Sequence, residues 1–218
     1  MRIRAGQSSL HGSAPDSSSV VLLVIDAIND FTFKEAGGVL TSALPMARRI
    51  RRFKARARSA GIATVYVNDN FGRWRSDFRT LIRHCSQSRG RAVTNMLRPD
   101  RRDYFVLKPK HSAFYSTTLE LLLEHLGART LILTGLLADS CILLTAYDAH
   151  MRGYDVIVLE DCIAARIARD GRRALAQIRR ALRAEVRPSS SLDLRRVLRQ
   201  AAQRSAWHSP GSHPESRV

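Results

Sequence analysis

Lysine is scarce in this sequence. Four of its 36 basic residues are lysines (Lys34, Lys54, Lys108 and Lys110), and the rest are arginines. Two of the four fall within one three-residue stretch, 108–110, which marks that segment out. Cysteine is equally sparse. Cys85, Cys141 and Cys162 are an odd number with no C-x-x-C spacing. That excludes a disulfide framework, argues against a zinc site and fits a reducing cytoplasm. Long apolar runs are missing too: Val20–Ile25 falls far short of the ~18 residues of a membrane span, so no membrane association is expected. Residues Met1–Ser19 carry Arg2 and Arg4 with no apolar stretch behind them, which is not the pattern of a secretory signal. Their Ser, Gly and Pro content predicts a disordered leader.

What is abundant is positive charge, with a net +17. Such a balance suggests a polyanion as partner. No recognition motif accompanies it, however, and the arginines are spread along helix faces and the C-terminal segment. A nucleic-acid partner is therefore not expected. The 218 residues, 44% hydrophobic and 25% charged, suit one soluble domain with a single sizeable core.

Val20–Ile25 is a continuous apolar, β-branched run ending at Asp26, as a strand buried on both faces reads. Thr41 or Ser42 is placed to cap a helix running through Met46, Ile50 and Phe53 to Gly61. Further strands are predicted at 62–67, 104–107, 130–134 and 154–159, with a sixth beginning at Glu185-Val186. Helices are predicted at 119–126, at about 139–152 and at 170–184, with a short one at 76–83 inside a polar connection. Alternation of strand and helix predicts an α/β fold: a three-layer α/β/α sandwich around a mostly parallel, Rossmann-like sheet of about six strands. The domain is expected over 20–187, with a basic, largely flexible tail over 188–218.

In an open parallel sheet, ligands bind beyond the carboxyl ends of the strands. Three reactive side chains fall at such ends. Asp26 follows the first strand, Lys108 the third, and Cys141 opens the helix after the fourth. A thiol at a helix N-terminus beside an ammonium is expected to favour thiolate. Asp26 is placed to take a thiol proton and pass it on, and Lys108 to keep Asp26 ionised. Taken singly, each has a plainer reading: a capping Asp, a solvated Lys, and a small buried hydrophobe in Ser140-Cys-Ile-Leu-Leu144. Cys85 and Cys162 read as structural, and His111, His125 and His150 as surface residues.

Three segments carry a family resemblance. They are Leu22-Leu-Val-Ile-Asp26-Ala-Ile-Asn29-Asp30-Phe31, Val106-Leu-Lys108-Pro-Lys-His-Ser112-Ala-Phe114, and Thr134-Gly135-Leu-Leu-Ala-Asp139-Ser-Cys141 with its continuation to Asp148. Together they resemble the isochorismatase-like cysteine hydrolases over roughly residues 20–165. The resemblance implies Asp26, Lys108 and Cys141 as a catalytic triad, with Lys108 rather than Lys110 as its lysine. It also implies a cis peptide at Leu136-Leu137 and an oxyanion hole from the N–H groups of Leu137 and Cys141. The expected reaction is hydrolysis of a small amide, ureido or lactam C–N bond through a thioester, without a cofactor, by a homo-oligomer.

Two departures narrow the expectation. Nicotinamidases carry an Asp-x-His metal cluster after the second strand, whereas this chain reads Asn68-Asp-Asn-Phe-Gly-Arg-Trp74. No catalytic metal is therefore expected. True isochorismatases lack the cysteine, which counts against vinyl ether cleavage. A basic binding module on a retired hydrolase fold is a further alternative, and the intact triad argues against it. Phe31, Asn70, Trp74 and Phe114 are expected to line the substrate pocket, with Arg73 or Arg75 meeting a carboxylate.

Overall fold

The computed structural model describes residues 17–72 and 77–207. Six strands form one fully parallel sheet. They are β1 (Val20–Ile25), β2 (Ala63–Asp69), β3 (Tyr104–Lys108), β4 (Thr130–Leu136), β5 (Asp155–Ala164) and β6 (Glu185–Arg187), in the order β3-β2-β1-β4-β5-β6. The order reverses between β1 and β4, so β1 is central. Every residue of β1 is fully buried, which is why it reads as an unbroken apolar run.

Helices cover both faces. Helices α1 (Ala36–Ser59), α2 (Phe78–Ser86), α3 (Arg91–Met96) and α7 (Leu194–Trp207) pack against the sheet face bearing Leu22, Val24 and Ile132. Helices α4 (Leu119–Leu126), α5 (Leu143–Met151) and α6 (Ala168–Leu182) cover the face bearing Leu23, Val65 and Leu133. The three-layer α/β/α expectation therefore holds.

Some boundaries differ from the sequence reading. Helix α1 starts at Ala36, a turn and a half before the predicted cap, and passes straight through Pro45. Its face of Val39, Ala43, Met46, Ile50, Phe53 and Ala57 is buried, and that burial overrides the weak helix preference of Gly37, Gly38 and Pro45. The tail is corrected as well. Asp161 accepts hydrogen bonds from Ser189 N (2.7 Å) and Ser189 Oγ (2.8 Å). Beyond that anchor, Leu192 is buried, and so are Leu194, Val197 and Ala201 on the sheet side of α7. Set among arginines, this helical spacing does not stand out from the basic tail that the sequence predicts. Residues 208–218 lie outside the described residues, as does the leader up to residue 16. Of the remaining leader, Ser18 is already ordered: its N–H donates to Leu126 O at 2.6 Å.

The carboxyl edge of the sheet is where the reactive residues gather. Ile25 is in register with Val67 on one side and with Gly135 on the other, and Asp69 with Lys108. The β1 and β4 backbones touch at this level. A methyl group on Gly135 would lie 1.9 Å from Ile25 O, and Gly135 has φ of 116°, so no other residue fits there.

Candidate active site

Asp26 leaves β1 with φ of 51°, a left-handed turn that aspartate tolerates better than most residues. Its N–H still donates to Val67 O (2.8 Å), so the turn is tied to β2. The side chain thereby points along the carboxyl edge, where Oδ1 accepts from the Asp69 N–H at 2.7 Å. Lys108, the last residue of β3, has no exposed surface. Its ammonium lies 2.9 Å from Asp26 Oδ2 and 4.0 Å from Asp69 Oδ2, and it donates to Lys110 O at 2.9 Å. Cys141 sits in a π-helical turn, Ala138–Ile142, between β4 and α5. Its Sγ lies 3.6 Å from Lys108 Nζ. The three sequence-predicted residues therefore meet in one constellation, and Asp26 and Cys141 are only 5% and 7% exposed.

Burial dominates the electrostatics. It pushes the Asp26 carboxyl above its ordinary range. The charge of Lys108 and hydrogen bonds from Cys141, Lys108 and Asp69 offset only part of this. Burial also works to lower Lys108, but the negative charges of Asp26 and Cys141 outweigh it, so the ammonium holds its proton more tightly than usual. Burial, followed by the charge of Asp26, pushes the Cys141 thiol up to about 12. Burial thus works against the thiolate that Lys108 favours, and a base within reach of the sulfur eases its attack.

The sequence reading missed one neighbour of the sulfur. His111 Nδ1 stands 3.9 Å from Cys141 Sγ, on its open side, although the residue is otherwise exposed. Nothing in the spacing of the Lys108–Phe114 segment announces this, because the contact joins the loop after β3 to the turn after β4.

The predicted pocket residues fare differently. Asn70 stays beside the site, with its N–H donating to Lys108 O at 3.1 Å, but its Oδ1 is taken by the Gly72 N–H at 2.9 Å. Phe31 and Phe114 are corrected to core residues. Phe31 turns at φ of 54°, accepts no solvent contact and packs tilted against Phe33 at 6.2 Å. Phe114 stacks on Tyr154 at 6.0 Å beneath the Arg152 guanidinium at 4.8 Å. Both rings are drawn inward because their own sheet faces offer apolar surface. Trp74, Arg73 and Arg75 lie outside the described residues. Leu137 is half-buried, and the Leu136–Leu137 peptide is cis. Among the described residues, no group of three or more His, Cys, Asp or Glu side chains is arranged to hold a metal ion.

A family model described as the isochorismatase domain matches residues 20–189, most of the chain. The chain belongs to the isochorismatase family. Within that family it is 36% identical, over 165 residues, to the isochorismatase family protein YaaI of Bacillus subtilis (strain 168), covering 76% of this chain and 91% of that one. It is 30% identical, over 176 residues, to the ureidoacrylate amidohydrolase RutB of Methylorubrum extorquens (strain DM4), covering 67% of this chain and 70% of RutB. Among solved structures, N-carbamoylsarcosine amidase from Thermoplasma acidophilum superposes with a TM-score of 0.65 at 30% identity. That match covers 80% of this chain and 99% of the amidase. The isochorismatase family match thus spans the whole sheet and the helices from α1 to α6.

Proposed function

We propose that the chain is a cysteine hydrolase of small carboxamide, ureido or lactam C–N bonds. The observation that carries this reading is the buried contact set of Cys141, Lys108 and Asp26 at the carboxyl edge of the sheet. Two of the similar proteins are named for hydrolysis of C–N bonds, which supports the reading from outside the geometry.

The chemistry follows from the arrangement. The Cys141 proton passes to Asp26 as the sulfur attacks the substrate carbonyl. A base whose pKa is raised matches a reluctant thiol better than an ordinary carboxylate does, because the proton transfer is then less uphill. Lys108 holds the carboxylate in place and balances charge while both groups are desolvated. The N–H groups of Leu137 and Cys141 serve the oxyanion of the tetrahedral intermediate. Asp26 then protonates the leaving nitrogen, the C–N bond breaks, and a thioester remains for water. A homo-oligomer in a reducing cytoplasm goes with this reading, from the family resemblance and from three free cysteines, all buried.

The test is turnover of a panel of carboxamides, N-carbamoyl amino acids and lactams by the wild type and by Cys141→Ala. Turnover by the wild type alone supports the assignment. Equal turnover by both proteins rejects it.

A further inference from the structure

Three titratable groups stand beside the Cys141 sulfur, the buried Asp26 and Lys108 and the exposed His111. On the inner side lies Asp26, 5% exposed and held by Lys108 and the Asp69 N–H. His111 is an exposed residue, with ring Nδ1 3.9 Å from Sγ. Lys108 Nζ, at 3.6 Å, and Ser140 Oγ, at 4.0 Å, also touch the sulfur, but the first is a protonated ammonium and the second a hydroxyl, so neither serves as a base.

The position of His111 is fixed from both sides. Before it, Lys110 O accepts a hydrogen bond from Lys108 Nζ. After it, the Ser112 hydroxyl bonds to the Asp148 carboxylate, and the Ala113 N–H donates to Thr145 Oγ1 at 3.0 Å. The loop after β3 is thereby pinned to the catalytic lysine at one end and to α5 at the other. An exposed side chain on a free loop would not be held over a thiol, and here the loop is clamped one residue to each side.

The two half-reactions make different demands. Forming the thioester needs a base for a buried S–H, and Asp26 is on that side. Breaking it needs a base for a water molecule that comes from solvent, and of the two candidate bases only His111 is exposed. We propose that His111 is the acid–base catalyst of thioester hydrolysis, while Asp26 serves acylation. The inference rests on the proposed cysteine hydrolase reading. In the step, water gives one proton to the His111 ring as its oxygen bonds to the thioester carbon. The C–S bond then breaks, His111 returns the proton to the sulfur 3.9 Å away, and the carboxylic acid leaves. Ring and thiol end as they began.

An activated ester separates this proposal from the reading beneath it. With p-nitrophenyl acetate, the burst of nitrophenolate reports acetylation of Cys141 and the following steady state reports thioester hydrolysis. In His111→Phe and His111→Gln the burst is expected to keep its amplitude. The steady state should fall about 100-fold, within the usual span for loss of one acid–base group. Peptide mapping should then find acetyl on Cys141. An unchanged thermal midpoint in both variants excludes a folding defect. A steady state unchanged in the variants, a burst that falls in step with it, or an acetyl group stable on the wild type overturns the role of His111. A burst that persists in Cys141→Ala, or none in the wild type, overturns the nucleophile instead.

Discussion

Cys141 and Cys162 invite comparison because their thiols have the same titration and different company. Burial pushes each up to about 12, and a nearby aspartate adds to the shift in both. At Cys162 that aspartate is Asp161, whose carboxylate is already engaged by the Ser189 N–H and hydroxyl, with Arg49 3.8 Å away. It fastens the segment leading into α7. At Cys141 the aspartate is Asp26, paired with a buried lysine that also reaches the sulfur, and the exposed His111 stands 3.9 Å from the sulfur. A high thiol pKa therefore does not separate the proposed nucleophile from a core residue. The aspartate and its lysine within reach of the sulfur do.

The largest expected effect tests that contrast directly. Cys141→Ala should abolish C–N hydrolysis, and Asp26→Asn should lower kcat by about 100-fold or more. Cys162→Ala should leave kcat and KM within about twofold, since Cys162 packs in the core layer on the other sheet face from Cys141. Steady-state assays on one responsive substrate decide it. Loss of activity in Cys162→Ala would erase the distinction.

The next effect concerns what holds the two sites together. Removing one partner of a buried ion pair leaves the other charge stranded, at a cost of about 3–5 kcal/mol. Lys108→Met should lose that much in urea unfolding, and adding Asp26→Asn should restore part of it. Asp161→Asn should cost about 1 kcal/mol, the scale of a hydrogen bond to a charged group weakened rather than removed. It should leave activity intact. Equal losses at Lys108 and Asp161 would mean that the buried pair is not special.

These sites differed in how legible they were. Asp26 and Lys108 each end an apolar run, so the strand pattern alone put them at the carboxyl edge. Cys141 could be placed because its distance from Thr134 suits the strand-to-helix turn. The protonation of its thiol could not be read, because helix-end and lysine effects are local whereas burial comes from the whole fold. His111 was hidden for a similar reason: its partner is thirty residues away, and the loop anchors at Ser112 and Ala113 are tertiary. Phe31 and Phe114 were misplaced because an aromatic next to a motif looks the same whether it faces a pocket or the core. Helix α7 was lost among its arginines, and α3 was too short to show a period.

The smallest effect is shared by the two cysteines. Folding raises each thiol pKa from an ordinary 9.0 to about 12, so the folded chain holds these protons more tightly than the unfolded one. Their contribution to stability is complete below the ordinary value and is lost as the pH rises through the folded value. The urea midpoint should therefore decline between pH 9 and 12, and alanine at either position should flatten the decline by a similar amount. A decline unaffected by either replacement would assign it to other groups.

The close approach of Gly135 to Ile25 bears on how such a protein diversifies. Asp26 follows Ile25 and Cys141 stands six residues after Gly135, so the span between acid and nucleophile is set by main chain against main chain. Mutation of side chains cannot alter that span. Selection is then free to rebuild the rim of the site for new substrates while the reacting centre keeps its dimensions, provided that position 135 stays free of a side chain.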